Sequence, residues 1–156
     1  MGYNTSFDGS IEVTGIDENA EKLMEGLART RRMKRKVGPD YGVEGEFYVD
    51  GGGFCGQDRD DTVLDYNSPP STQPGLWLPW EYSAGKLEIP EQGKHYEYIE
   101  WLVYLRDRII VPAGGVMNGW VDWYGEDRDD TGRLHVINNV IHVFEERREL
   151  IKVKEL

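Results

Sequence analysis

Two short runs late in the chain confine the fold more than any other feature. Arg133-Leu134-His135-Val136-Ile137 and Val140-Ile141-His142-Val143-Phe144-Glu145 are rich in β-branched and aromatic residues, and only Asn138-Asn139 separates them. Asparagine tolerates the positive φ that a two-residue hairpin turn demands. The spacing therefore predicts a hairpin whose turn sets the register: Ile137 opposite Val140, Val136 opposite Ile141, His135 opposite His142. Side chains alternate across a strand, so Leu134, Val136, Ile141 and Val143 take the more apolar face and both histidines the other. Gly119–Tyr124 reads as the strand before the hairpin, which makes a C-terminal three-stranded meander. The residues after Glu145 fit a strand or a frayed helix equally.

The elements before the meander are read around it. Ile11–Thr14 is a short strand after the Asp8-Gly9 turn. Asp17 is placed to cap a helix, with Glu18 and Glu21 in its first turn, where acids meet the positive end of the helix dipole. Ala20, Leu23, Met24, Leu27 and Ala28 form one apolar stripe, and the helix is expected to run to about Met33. Its end carries a basic run, Arg29 to Lys36, which complements the dipole there. From 37 to 74 the chain is a long connection rich in Gly, Pro, Asp and Ser, with one expected strand at Phe47–Val49 and a break at Gly51-Gly52-Gly53. Leu76–Tyr82 alternates as a strand, placed at a sheet edge because Pro79 cannot donate to a ladder. Ser83-Ala84-Gly85 turns it into a second strand, Lys86–Ile89. A second helix covers His95–Ile110 and ends before Pro112 and Gly114-Gly115. This order predicts one α+β domain over residues 1–156: an antiparallel or mixed sheet with two helices on one face.

Charge narrows the function classes. The chain of 156 residues carries a net −11. Six of its 18 cations (Arg29, Arg31, Arg32, Lys34, Arg35 and Lys36) lie in one short segment; setting them aside leaves 12 against 29 acids, or −17. Such a surface is repelled by phosphate backbones, so direct nucleic-acid binding is not expected. The single cysteine, Cys55, excludes an intramolecular disulfide and a thiol-based zinc site. No signal-like or membrane-spanning stretch is present, which suits a cytoplasmic protein.

The motifs carry little chemistry. Gly56-Gln57-Asp58-Arg59-Asp60-Asp61-Thr62 is nearly repeated as Gly125-Glu126-Asp127-Arg128-Asp129-Asp130-Thr131. Asp127, Asp129, Thr131 and Gly132 match the start of a calcium loop, but its twelfth place holds Asn138 instead of the bidentate Glu, and the first copy lacks the Gly. The two heptads read as polar turns, with no metal and no cofactor expected. His135 and His142 lack a third ligand, and read as a cross-strand pair facing solvent. Cys55 lacks the base and oxyanion hole of a nucleophile. No catalytic residue is assigned. Core packing accounts for most of Trp77, Trp80, Trp101, Trp120 and Trp123; an exposed subset would form a protein-binding patch.

Several stretches carry a resemblance. They are Met1-Gly2-Tyr3-Asn4-Thr5 with Phe7, Thr30-Arg31-Arg32-Met33, Gly52-Gly53-Phe54 with Gly56-Gln57, and Asp65-Tyr66-Asn67 with Pro69-Pro70. Gln73-Pro74-Gly75-Leu76-Trp77 with Trp80 is the most specific, followed by Glu100-Trp101-Leu102 and Gly125-Glu126-Asp127. On these residues the chain resembles, from end to end, an uncharacterised family of small proteins encoded by tailed phages and some bacteria. That family often has Cys-Gln before the second Trp; Leu78-Pro79 stand there in this chain, so a thiol role at that strand is not implied. The resemblance transfers no catalytic residue. It implies a phage or prophage origin and action in the cytoplasm of a bacterial host.

Two functions follow as expectations. The first is a non-enzymatic phage accessory protein that binds and modulates a host or defence protein through an acidic surface, using Asp58, Asp60, Asp61, Asp127, Asp129 and Asp130. The second is a binder of, or enzyme on, a nucleotide or other phosphate, held by Arg31 and Arg32 of the Arg29–Lys36 segment, because guanidinium forks match phosphate oxygens.

Overall fold

The strand that organises the sheet is the first one. In the computed structural model, which describes residues 2–36, 61, 63–90, 95–147 and 149–156, β1 runs from Thr5 to Thr14. Phe7, Ile11 and Val13 point to one side and are buried, while Ser6, Asp8, Glu12 and Thr14 face water. β1 is longer than the expected Ile11–Thr14 because β6 (Val116–Gly125) pairs with its whole length, from Thr5↔Gly125 to Thr14↔Val116. On its other side β1 pairs with β5 (Lys86–Glu88), which forms a hairpin with β4 (Glu81–Ser83). β7 (Thr131–Ile137) and β8 (Val140–Glu145) complete a six-stranded sheet in the order β4-β5-β1-β6-β7-β8, antiparallel at every step. β2 (Lys34–Arg35) and β3 (Val63–Asp65) form a separate two-stranded ribbon. The C-terminal meander and the α+β class are as the sequence predicts.

Both helices lie on one face. α1 (Glu18–Ala28) brings Ala20, Met24 and Leu27, and α2 (Tyr98–Leu105) brings Trp101, Leu102 and Leu105, into one core with Phe7, Ile11, Val13, Leu87, Met117, Val121, Leu134 and Val136 of the sheet. Burial of these side chains, worth about 1.5–3 kcal/mol each, is the main force holding the layers together. Asp17 caps α1 as expected: its Oδ1 accepts from the Ala20 N–H at 2.9 Å. No described helix is long and apolar enough to cross a membrane.

Three further elements depart from their expected form. α1 ends at Ala28 instead of reaching Met33. The N–H groups of Arg29 and Thr30 bond to Gly26 and Leu27 in tight closing turns, and the Thr30 hydroxyl donates to the Gly26 carbonyl at 2.7 Å. Beyond them the Arg32 N–H donates to Leu76 O and the Lys34 N–H to Ser68 O, which pulls the chain out of the helix. The basic run is therefore an extended strap and not a helix end. Leu76–Trp80 is not a strand either. Leu78, Pro79 and Trp80 are buried in succession, which period-two alternation forbids. Pro79 offers no N–H to a ladder, and the Trp80 Nε1–H instead donates to Tyr98 O at 2.8 Å. The second helix begins at Tyr98, after Glu97 in the left-handed region, and widens at Arg106–Ile110 into a π-type turn with Val111 N–H bonded to Arg106 O. The expected strand at Phe47–Val49 lies outside the described residues.

The two hairpin turns follow their sequences. Asn138 and Asn139 adopt φ of 46° and 70°, and Ala84 and Gly85 adopt 50° and 79°. Only Ala84 is a poor choice for this conformation, since its Cβ crowds the following carbonyl. Ala84→Asn creates the Asn-Gly pair that such turns prefer, and is expected to add about 1 kcal/mol of stability. Thermal melting tests this: a rise of about 3 °C is expected for a chain of this size, and no rise refutes the assignment.

Candidate functional site

Nothing among the described residues covers the outer face of the sheet. Every strand residue in the core belongs to the helix-facing side, so the alternate set faces water. Register arranges that set in rows. One row is Ser10, Trp120, His135 and His142; the next is Asp8, Asp122, Arg133 and Phe144; a third is Ser6, Tyr124 and Thr131. Trp120 is 40% exposed, Tyr124 47% and Phe144 55%, with Ile137 and Val140 exposed at the hairpin end.

These side chains are held in place. Arg133 forks onto Asp122, with Nε to Oδ1 at 2.6 Å and Nη2 to Oδ2 at 3.0 Å. Its guanidinium carbon lies 4.4 Å over the Trp120 ring. The carboxylate's hydrogen bonds hold Arg133 above its already high ordinary pKa. His135 and His142 face each other across β7 and β8 as expected, half-buried and exposed respectively, and the His142 ring stacks on Phe144. The result is a flat, pre-ordered platform of aromatic rings around an arginine already neutralised by Asp122, which reduces the entropy lost when a partner docks.

The second acidic heptad adjoins this platform as the β6–β7 loop. Its carboxylates divide by role. Asp130 is structural: Oδ2 accepts from the Tyr3 hydroxyl at 2.8 Å and Oδ1 from the buried Trp123 Nε1–H at 3.0 Å. The Tyr3 oxygen in turn accepts from the Asp127 N–H, and Glu126 Oε1 accepts from Asn4 N–H and Nδ2. The loop is thus laced to the N-terminal segment. Behind it, burial and then the Asp130 and Glu100 carboxylates push the Tyr98 phenol up to about 12. Asp127 and Asp129 are exposed, and their carboxylates bond to no described residue. Asp61 is exposed too, whereas Asp58, Asp60 and Cys55 lie outside the described residues. Among the described residues no group of three or more His, Cys, Asp or Glu side chains is arranged to hold a metal.

Arg31 and Arg32 are built into the fold. Arg31 lies 4.3 Å over the Tyr66 ring and 5.9 Å from the Trp77 ring, and donates to Tyr66 O and Asn67 Oδ1. Arg32 is fully buried. A concavity of about 450 Å³ beside Trp77 has neither arginine among its lining residues.

Core packing accounts for most tryptophans in the sequence, which does not by itself single out Trp120, Tyr124, Phe144 and Arg133. The signal was parity: Trp120 and Trp123 are three apart in one strand and must face opposite ways. Compared with known proteins, the chain matches no family model, no curated protein and no solved structure.

Proposed function

We propose that this protein is a non-enzymatic binding protein that docks a cationic protein surface on the outer face of its sheet and the adjoining acidic loop. The observation that carries the reading is the ordered Trp120–Arg133–Asp122 stack, flanked by Tyr124 and Phe144 and bordered by Glu126, Asp127 and Asp129. Aromatic and arginine side chains dominate interface hot spots, and a net −11 steers a cationic partner towards them. The phage resemblance suggests the setting: an accessory protein that modulates a host or defence protein in the host cytoplasm. The burial of Arg32 and the bonds of Arg31 to Tyr66 and Asn67 favour this reading over a phosphate ligand held by those two arginines.

The test is affinity capture from infected cells followed by binding kinetics on the captured partner. Trp120→Ala is expected to speed dissociation about 30-fold, the effect of a hot spot worth about 2 kcal/mol. Glu126→Gln with Asp127→Asn and Asp129→Asn is expected to slow association, and only at low salt, because screening reaches about 10 Å at 0.1 M. Capture and kinetics unchanged by both variants would refute the surface.

A further inference from the structure

The two edges of the sheet are unlike. β4 is a three-residue strand, but β8 is six residues long and, among the described residues, pairs only with β7. An edge strand presents a row of unpaired N–H and C=O groups, and soluble proteins blunt it with proline, lysine, bulges or a cover. Val140–Glu145 contains neither proline nor lysine, and its pairing with β7 is unbroken from Ile137↔Val140 to Gly132↔Glu145. Val143 faces the helix side, opposite the buried Leu134, and is nevertheless 48% exposed. Ile141 of the same strand packs against the core, so among the described residues the cover of β8 thins at Val143.

The chain beyond β8 has the complementary character. Leu150, Ile151, Val153 and Leu156 are almost wholly exposed, and the segment lies in no helix or strand. Ile151 and Val153 alternate with Leu150, Lys152 and Lys154, the pattern of a strand with one apolar side. Residues 147–156 hold four cations and two acids, a net +2, against −13 for the rest of the chain. Glu146-Arg147-Arg148-Glu149, which separates β8 from Leu150, contains none of the Gly, Asn, Asp or Pro residues that a tight hairpin turn uses. Nothing in that sequence directs the tail back onto its own edge.

We infer that residues 150–154 of one copy add as an extra strand along β8 of a second copy, and reciprocally, giving a symmetric dimer. The added strand pairs the open backbone groups of β8. Ile151 and Val153 lie beside Val143 on the helix side, and Lys152 and Lys154 meet the acidic remainder of the partner copy. Reciprocal exchange of an identical segment is a low-cost route to a closed dimer. It leaves the Trp120 platform uncovered and doubles it, so dimerisation and partner capture are separately testable.

Light scattering and sedimentation on the full chain read the result. A dimer mass is expected at tens to hundreds of micromolar, weakening as salt rises. Val143→Lys, which points a charge inward at the edge, and Ile151→Asp with Val153→Asp in the tail are each expected to weaken self-association about tenfold or more, since the introduced charge would be buried. Both variants should keep the far-ultraviolet circular dichroism of the parent; the tail variant changes residues outside the core and separates lost pairing from lost folding. A monomer throughout this range overturns the inference, as does a dimer that survives the tail variant. Hydrogen exchange distinguishes the remaining arrangement: β8 amides protected in a monomer mean that the tail docks on its own chain, which also overturns it.

Discussion

Gly119→Ala is expected to lower the melting temperature by about 10 °C, which corresponds to about 3–4 kcal/mol in a chain of this size. Gly119 sits in β6 opposite Ile11 at φ +141°, a conformation open to glycine and costly for other residues. A Cβ there would fall 2.5 Å from the Ser10 carbonyl oxygen and 3.0 Å from the Ile11 Cα, both backbone atoms of the adjacent central strand. Neither can swing aside as a side chain would, so conformational strain of about 1–2 kcal/mol adds to an overpacking cost of about 1–3 kcal/mol. Gly85→Ala is the control. Its φ is +79°, but a Cβ would meet only the Val13 carbonyl oxygen, at 3.8 Å. It carries the strain without the clash and is expected to cost about 1 kcal/mol. Equal melting temperatures for the two variants would show that β1 and β6 do not need this close approach.

The second large effect separates Asp130 from its acidic neighbours. Asp130→Ala is expected to cost about 2–3 kcal/mol, because it removes the acceptor of the Trp123 indole N–H and of the Tyr3 hydroxyl. Trp123 is only 4% exposed, so water cannot readily replace the lost partner. Asp130→Asn keeps one acceptor oxygen and is expected to lose about half as much. Asp127→Asn and Asp129→Asn should stay within about 0.5 kcal/mol of the parent, as surface changes do. Chemical denaturation of the four variants checks the order. If Asp130→Ala is as stable as Asp129→Asn, then Asp130 does not tie the loop to Tyr3. The distinction matters for binding experiments, because a combined neutralisation that includes Asp130 would confuse a lost contact with a loosened loop.

Asp130 also shows why the candidate site was only partly legible in the sequence. The heptad Gly125–Thr131 is visible as a charge pattern, and every carboxylate in it looks alike. Tyr3, which tells Asp130 from Asp129, is 127 residues away. Arg31 and Arg32 pose the same problem. As a string they are two cations in a basic run; in the fold one is stacked on Tyr66 and the other is buried. Trp120 is the opposite case. Strand parity alone separates it from Trp123, and the pairing of β6 with β7 then places it beside His135.

Features that depend on neighbours a few residues apart are legible without the fold. Asn138-Asn139 fixed the β7–β8 hairpin and its register, Asp17 fixed the start of α1, and Ala84-Gly85 the β4–β5 turn. Turn φ values, a cap bond and alternation along a strand are local, so they need no knowledge of the rest of the chain. Where α1 stops, how far β1 extends, and which face of the sheet the described residues leave uncovered follow from the tertiary structure. α1 gives way because Leu76 and Ser68 accept the N–H groups of Arg32 and Lys34, and β1 extends because β6 offers a full ladder. Each of these outcomes is set by hydrogen bonds and packing between segments distant in sequence. Helix propensity differs by only about 0.7 kcal/mol among ordinary residues, too little to resist them.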